Sequence, residues 1–236
     1  MPTLSVKNLN LSSMGEGVLK SVSFDFSGDA FCICGGKYAG KTPLCLALAG
    51  YGNPQGEIAL NGEDITRISP EARNVGVLFG KAKLFRGSVG KNIAYGLTLR
   101  KDANANEKAL QTAKRLGLEE IYHTKAKKYK GIQAQKIAFA RLIARRPAAI
   151  FADFPVREEG KEDLAFLREC LAVCKEEGVL FVLFTESVAQ ANLFSTLGVL
   201  EKGELTFFGG RENLLSCPPT IGSAIFASFV MRAKSS

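Results

Sequence analysis

The chain has 236 residues, of which 46% are hydrophobic and 23% are charged. This composition excludes a disordered chain and suits one domain of ordinary size that could carry a subsidiary lobe. The formal net charge is +8, but the lysines and arginines are spread along the sequence apart from a concentration at residues 125–130. The charge is therefore only a mild bias toward anionic partners such as nucleic acid or a membrane surface.

In the amino-terminal third, period-two alternation over residues 4–26 predicts two or three short strands. Residues 31–48 combine an apolar strand, a glycine-rich turn and an apolar helix. A further strand ends in Asn61-Gly62, which is a strong turn signal. The clearest strands are predicted at residues 4–9 and 22–26, and further strands are predicted at residues 57–62 and 74–79.

In the remainder of the chain, residues 90–130 carry apolar positions at spacings of three and four, which predicts a helical lobe. Further helices are predicted at residues 133–146, 161–177 and from about 221. Buried strands are predicted at 148–153 and 179–184, with two short strands after Leu197 joined at Lys202-Gly203. Strands that alternate with helices predict a parallel sheet covered on both faces.

Cysteine usage favours a reducing compartment. Cys217 lies near the end, and His123 is the single histidine. The other cysteines, which all lie in apolar stretches, are Cys32, Cys34, Cys45, Cys170 and Cys174. Without C-x-x-C pairs, this pattern argues against a zinc or redox motif and indicates buried thiols in a cytosolic protein. The sequence also lacks a leader pattern and an apolar run long enough to span a bilayer, so we expect any membrane connection to go through a partner.

The glycine-rich turn satisfies the pattern G-x-x-x-x-G-K-[ST] with Gly35, Gly40, Lys41 and Thr42. Such a loop can turn its backbone N–H groups toward phosphate oxygens at the positive end of the following helix. Lys41 would add a charge at the β- and γ-phosphates, and Thr42 a hydroxyl ligand for Mg²⁺. The alternative is a strand-to-helix turn that uses glycine without binding phosphate. The candidate phosphate-binding residues are Gly35, Gly36, Lys37, Tyr38, Ala39, Gly40, Lys41, Thr42 and Pro43.

The order of the segments that follow is more selective than the loop. Residues 73–97, 129–147 and 150–155 together resemble the ATP-binding subunits of ABC transporters. Residues 61–66 and 68–74 resemble the branch of solute importers that serves polyamines, sugars, iron or oxyanions. The resemblance covers about residues 3–231.

The resemblance implies an α/β P-loop NTPase fold of ABC type. It has a mainly parallel core sheet, an amino-terminal antiparallel β region and a helical subdomain at about residues 88–146, within a single domain of residues 1–236. The regulatory β-domain that follows in many importers is expected to be absent. The family binds ATP and Mg²⁺ between two such subunits, so the implied partners are a membrane permease and a second ATP-binding subunit, in a homodimer or a heterodimer. The implied location is the inner face of the cell membrane, without a span of its own.

Several positions depart from the family pattern. Asp153 is retained as the expected support for Mg²⁺, but Phe154 stands where the family has the glutamate that polarises the attacking water. Gly80 replaces the glutamine expected after the preceding strand. Glu186 replaces a histidine that contacts the γ-phosphate, and a carboxylate there would repel the phosphate. These losses predict impaired hydrolysis.

The loops that contact phosphate depart as well. The signature sequence is Tyr-Lys-Gly-Ile-Gln at residues 129–133, where Lys130 replaces a serine and Ile132 a glycine. In the phosphate loop, Tyr38 replaces a glycine and Lys37 adds a cation. Pro43 has no N–H, and one missing charge-assisted hydrogen bond, worth about 1.5–3 kcal/mol, weakens binding by roughly one to two orders of magnitude unless another group replaces it.

Two functions follow as hypotheses. In the first, the chain is the nucleotide-binding subunit of an ABC transporter with degraded hydrolysis. In the second, it is a non-enzymatic pseudo-ATPase that serves as a structural or regulatory module; a role on nucleic acid has only the net charge to support it, so that partner is not expected. No aromatic residue precedes Phe24 to stack on adenine, and His123 is interpreted as a surface or packing residue. Glu158 or Glu159 could substitute for the missing glutamate, although no spacing rule selects either.

Overall fold

A computed structural model describes residues 1–13, 16–154, 160–216, 218–220 and 224. Its contacts divide the chain into two compact units, which we describe separately. The first unit comprises Met1–Val77 and Ala148–Ser236, and the second comprises Leu78–Pro147.

The strands of the described residues form two sheets. They are β1 (Thr3–Ser13), β2 (Glu16–Ser27), β3 (Ala30–Cys34), β4 (Gln55–Leu60), β5 (Glu63–Asp64), β6 (Val75–Phe79), β7 (Ala149–Asp153), β8 (Leu180–Thr185), β9 (Thr196–Glu201) and β10 (Glu204–Gly210). One sheet has the order β2-β1-β4-β5 and is antiparallel. The other has the order β10-β9-β3-β8-β7-β6, in which β3 is parallel to β8 and β9, and β7 is parallel to β8.

The helices are α1 (Lys41–Leu48), α2 (Val89–Leu99), α3 (Ala105–Arg115), α4 (Gly131–Ile143), α5 (Lys161–Glu177), α6 (Val188–Ala191) and α7 (Arg211–Ser216). Together with the sheets, they confirm the predicted α/β fold with a parallel core sheet and an amino-terminal antiparallel region. None of the helices in the described part of the chain has the length and apolarity needed to cross a membrane.

The core of the first unit lies between the antiparallel sheet, α1 and the parallel sheet. The inner strands β7 and β8 are buried at every position, as expected for parallel strands covered on both faces. A cluster of Phe24, Phe26, Phe31 and Phe208 has ring centroids 4.5 to 6.4 Å apart, which joins β2 to β3 and β10. This packing fixes β3, the strand that leads into the phosphate loop.

The second unit contains α2, α3 and α4 with a short 3-10 turn at Ala126–Lys128. Ser88 caps α2 by accepting a hydrogen bond from the N–H of Lys91 at 3.1 Å. Helix α3 buries Ala105, Ala109 and Ala113, which share one helix face. The predicted helical content of this stretch is confirmed, but it is divided into separate helices because Lys101 has a φ of +57° and Gly117 a φ of +65°.

Several predicted boundaries differ from the structure. Strands β1 and β2 are longer than expected because bulges with positive φ at Asn8 and Ser21 interrupt the alternation that marks a strand in the sequence. The predicted turn at Asn61-Gly62 is confirmed, since both residues have positive φ between β4 and β5. The helix expected from residue 221 lies outside the described residues except for Ala224.

Candidate functional site

The phosphate loop connects β3 to α1 across residues 35–40. Gly40 has a φ of +105° at the N-cap of α1, a conformation that favours glycine. Tyr38 also has a positive φ, +63°, and its side chain is 88% exposed. The Nζ of Lys37 lies 5.0 Å from the centroid of its ring. The tyrosine therefore keeps the backbone conformation that a glycine would give, at a cost of about 1–2 kcal/mol.

The loop is supported from the turn between β9 and β10. The N–H of Gly203 donates to Ala39 O at 2.9 Å. A Cβ added at Gly35 would collide with Leu200 O and lie 2.9 Å from the Ala39 Cβ. The sequence predicts only a turn at Gly203, because the contact of this residue with the loop depends on the tertiary fold.

Lys41 lies at the first position of α1 with three hydrogen bonds. Its Nζ donates to Gly35 O at 2.9 Å and to Gly36 O at 2.6 Å. It also donates to Glu186 Oε1 at 3.1 Å, which forms an ion pair. The Lys41 side chain is 10% exposed and that of Glu186 is 51% exposed, so the cation is largely enclosed and the carboxylate faces solvent.

Thr42 meets Asp153, the last residue of β7. The Thr42 hydroxyl donates to Asp153 Oδ2 at 2.7 Å. Burial raises the pKa of Asp153; the Thr42 hydrogen bond and the charge of Lys41 oppose that shift, and the charge of Glu186 adds to it. The oxygen atoms of Thr42 and Asp153 are hard ligands of the kind that Mg²⁺ prefers. A Mg²⁺ ion bound there would take its other ligands from phosphate and water. The described residues contain no group of three or more potential metal-binding side chains, so these two would be supporting ligands.

The loop also offers donors for phosphate. Within the described residues, the N–H groups of Gly36, Lys37, Tyr38 and Gly40 are assigned no hydrogen-bond acceptor. Pro43 lies in the first turn of α1, where N–H groups have no partner within the helix, so it does not break the helix but removes one donor. The predicted residues 35–43 thus form one continuous segment, and four of them carry backbone N–H groups that are available as donors to a phosphate chain.

Glu186 is positioned by a buried polar network. The Thr185 hydroxyl donates to Gln190 Oε1 at 2.7 Å and accepts from the Ser187 N–H at 3.0 Å. Ser187 caps α6 by accepting from the N–H of Gln190 at 3.2 Å. Thr185, Ser187 and Gln190 are all nearly inaccessible to solvent. We did not predict this network, although Ser187-x-x-Gln190 is a capping-box pattern that could have indicated the start of α6.

The residues expected for hydrolysis lie in both units. In the first unit, Phe154 follows Asp153, is half-buried and donates its backbone N–H to Phe184 O at 3.3 Å. Glu158 and Glu159, the candidate substitutes for the missing glutamate, lie outside the described residues. A phenyl ring can neither accept a proton nor orient a water molecule.

In the second unit, Lys130 is the exposed N-cap of α4 and Gly131 has a φ of +56°. The side chain of Gln135 donates from Nε2 to Phe79 O at 3.0 Å and also to Gly80 O. Gly80 therefore belongs to a segment that α4 holds through its backbone. Ile132 lies in the first turn of α4.

The geometry of the loop and the order of the strands agree with comparisons to known proteins. A family model described as ABC transporter matches residues 19–157. The chain belongs to the ABC transporter family. It is 32% identical over 221 residues to the molybdate/tungstate import ATP-binding protein WtpC of Pyrococcus horikoshii, covering 91% of this chain and 64% of that protein. It is 30% identical over 237 residues to the putrescine transport ATP-binding protein PotG of Escherichia coli, covering 97% of this chain and 63% of that protein.

The chain thus spans less than two thirds of the length of these relatives. Solved structures of the family share its fold at low identity. The structure of cbiO1 from Clostridium perfringens, part of the ABC transporter complex cbiONQ, matches with a TM-score of 0.82 at 20% identity, covering 98% of this chain and 93% of that one. A nucleotide-free ATP-binding cassette from an ABC transporter matches with a TM-score of 0.81 at 21% identity, covering 94% and 98%. The predicted family and fold are confirmed.

Proposed function

We propose that this chain is a nucleotide-binding subunit of an ABC importer that binds ATP with Mg²⁺ and hydrolyses it poorly. One observation carries the proposal. The phosphate loop keeps Lys41 and the contact of 2.7 Å between Thr42 and Asp153, while Phe154 and Glu186 occupy the positions that hydrolysis would use.

Binding rests on donors and charge. The N–H groups of Gly36, Lys37, Tyr38 and Gly40 and the Nζ of Lys41 would hold phosphate oxygens. Thr42 and Asp153 would hold Mg²⁺. Mg²⁺, when bound, neutralises charge on the phosphates. Pro43 removes one donor from this set, and Lys37 could offset part of the loss because its ammonium group lies on the same loop.

Poor hydrolysis follows from two side chains. Phe154 offers no carboxylate to polarise water, and the general-base contribution of such a group is typically 100- to 10,000-fold. The family pattern has a histidine at the position of Glu186. In this chain the Glu186 carboxylate forms an ion pair with Lys41 instead. The same losses favour the second candidate, a pseudo-ATPase that acts as a structural module.

The partners follow from the names of the relatives, which are import and transport ATP-binding proteins. We propose that the chain works as a single domain with its helical subdomain at about residues 88–146. It would bind a membrane permease on the inner face of the membrane and pair with another ATP-binding subunit. Whether that pair is a homodimer or a heterodimer is open to measurement by the mass of the assembled complex.

Calorimetric titration with Mg·ATP tests binding. We expect a dissociation constant in the micromolar range, weakened about 10- to 150-fold in Lys41→Ala because charge-assisted hydrogen bonds are lost. Lys7→Ala, an exposed lysine on β1, is the matched control and should bind like the unmodified chain. If Mg·ATP does not bind, the structural-module hypothesis replaces this one. Phosphate release at several turnovers per second, abolished in Lys41→Ala, would contradict impaired hydrolysis.

A further inference from the structure

The contact between Lys41 and Glu186 bears on which nucleotide the site prefers. We propose that Glu186 makes this site bind a nucleoside diphosphate more tightly than a nucleoside triphosphate. The carboxylate takes the position on Lys41 that the terminal phosphate of a triphosphate needs. The inference rests on the proposed function, since it requires that the loop binds nucleotide.

The hydrogen-bond capacity of Lys41 is the first step. A lysine ammonium group has three N–H donors and no acceptor. Two of them are directed at Gly35 O and Gly36 O, and the third at Glu186 Oε1, 3.1 Å away. A phosphate can gain a donor from Lys41 only by displacing one of these acceptors. Glu186 is the only one of the three that sits on a movable side chain.

The second step concerns charge. In loops of this pattern, the lysine reaches the β- and γ-phosphates. A diphosphate can be held by the neutral N–H groups of Gly36, Lys37, Tyr38 and Gly40, which are assigned no acceptor among the described residues. A triphosphate adds a further anionic group at the lysine, where Glu186 already lies and where Asp153 adds to the negative field. The triphosphate must therefore compete more strongly with the Glu186 carboxylate than the diphosphate does, because it brings two anionic phosphates to Lys41 instead of one.

The third step is that the backbone of Glu186 cannot move away from Lys41. Its neighbours Thr185 and Ser187 are buried and joined to Gln190 by hydrogen bonds of 2.7 and 3.2 Å. Moving the backbone would break these bonds, and buried polar groups without partners are costly. The Glu186 side chain itself is 51% exposed and can rotate toward solvent. The expected effect is thus competition rather than exclusion, and we expect a preference of about tenfold for the diphosphate because solvent screens the carboxylate.

Titration with ADP and ATP, each with Mg²⁺ and with a chelator, tests the inference. In the unmodified chain, we expect ADP to bind about tenfold more tightly than ATP. In Glu186→Gln, which keeps the size of the side chain and removes its charge, the two dissociation constants should become nearly equal, mainly through tighter binding of ATP. Glu63→Gln, an exposed carboxylate on β5, should leave the ratio unchanged. Raising the salt concentration should bring the dissociation constants of ADP and ATP closer together in the unmodified chain but not in Glu186→Gln.

The outcomes separate the two proposals. Binding of ADP and ATP with equal affinity, or tighter binding of ATP, would overturn the preference while leaving nucleotide binding intact. A preference for ATP only when Mg²⁺ is present would also overturn it, by indicating that Glu186 helps to hold the metal. A preference for ADP that persists in Glu186→Gln would assign it to other residues. If neither nucleotide binds to the unmodified chain or to Glu186→Gln, the proposed function is overturned together with the inference.

Discussion

Arg73 offers a sharp test of what holds the phosphate-loop helix in place. Its side chain is buried, and its hydrogen-bond acceptors are four backbone carbonyl oxygens. Two of these belong to Ala47 and Leu48 at the carboxyl end of α1, at 3.2 and 2.7 Å. The other two, at 2.8 and 2.9 Å, belong to Ile68 and Thr66. Burial lowers the pKa of Arg73, and the charge of Asp64 opposes that shift. The carbonyl oxygens and the carboxyl end of the α1 dipole also favour the cation.

The substitution Arg73→Met keeps an apolar stem and removes the four bonds. Hydrogen bonds to a charged group contribute about 1.5–3 kcal/mol each, but removing a buried cation also recovers several kcal/mol of desolvation. Ala47 O keeps a hydrogen bond from the Gly50 N–H at 3.0 Å. The expected net loss is about 3–5 kcal/mol, which corresponds to a fall in Tm of roughly 6–20 °C for a chain of this size.

Urea unfolding followed by circular dichroism measures this loss. Arg67→Met is the matched control, since Arg67 is exposed and should change the free energy of unfolding by no more than about 0.5 kcal/mol. Arg73→Lys keeps the charge but lacks the planar guanidinium group, so its loss of unfolding free energy should lie between those of Arg73→Met and Arg67→Met. A loss below about 1 kcal/mol in Arg73→Met would refute the reasoning, because the four carbonyl contacts would then contribute little.

Three further predictions concern the loop and its acids. Gly35→Ala should lower the free energy of unfolding by about 1–3 kcal/mol, because its Cβ would collide with Leu200 O. A Cβ at Gly36 would meet open space, so Gly36→Ala should lose less stability. An equal fall in Tm for the two variants would contradict this prediction. Asp153→Asn should raise the Tm at pH 7, because the pKa of Asp153 is raised in the folded chain and its ionised form therefore opposes folding. The gain in Tm should shrink as the pH falls through the folded pKa toward the unfolded value of about 4. A gain in Tm that is independent of pH would argue against this reasoning. Phe154→Glu should raise phosphate release at least about tenfold, and an unchanged rate would show that this position does not limit hydrolysis.

The sequence predicted the elements whose signals are local. Helix α5 was predicted at its observed bounds, Lys161–Glu177, because its amphipathic pattern ends at Gly178, which has a φ of +66° at the C-cap. The break after α2 was missed because Lys101 adopts positive φ without a glycine to mark it. The bulges in β1 and β2 were missed for a similar reason, since a shift of register hides the alternation on which the prediction depends.

The site divides in the same way. Residues 35–43 are contiguous, so one sequence motif predicts all of them as candidate phosphate-binding residues. The hydrogen bond between Lys41 and Glu186 joins residues 145 positions apart, and the contact from Gly203 to Ala39 also depends on the packing of distant strands. The sequence could indicate that Glu186 carries the wrong charge for a phosphate contact, but only the structure shows that it pairs with Lys41.

This ion pair has opposite consequences for stability and for binding. Lys41 is largely enclosed, so without a nucleotide it gains from an anion at its third donor. Glu186 supplies that anion, and because it is half-exposed the gain is held below about 1 kcal/mol. A ligand that takes the same donor must first forfeit this gain and then bear the repulsion of the displaced carboxylate. The residue that stabilises the free loop is therefore the one that opposes a triphosphate, and removing its charge should weaken the first effect while relieving the second.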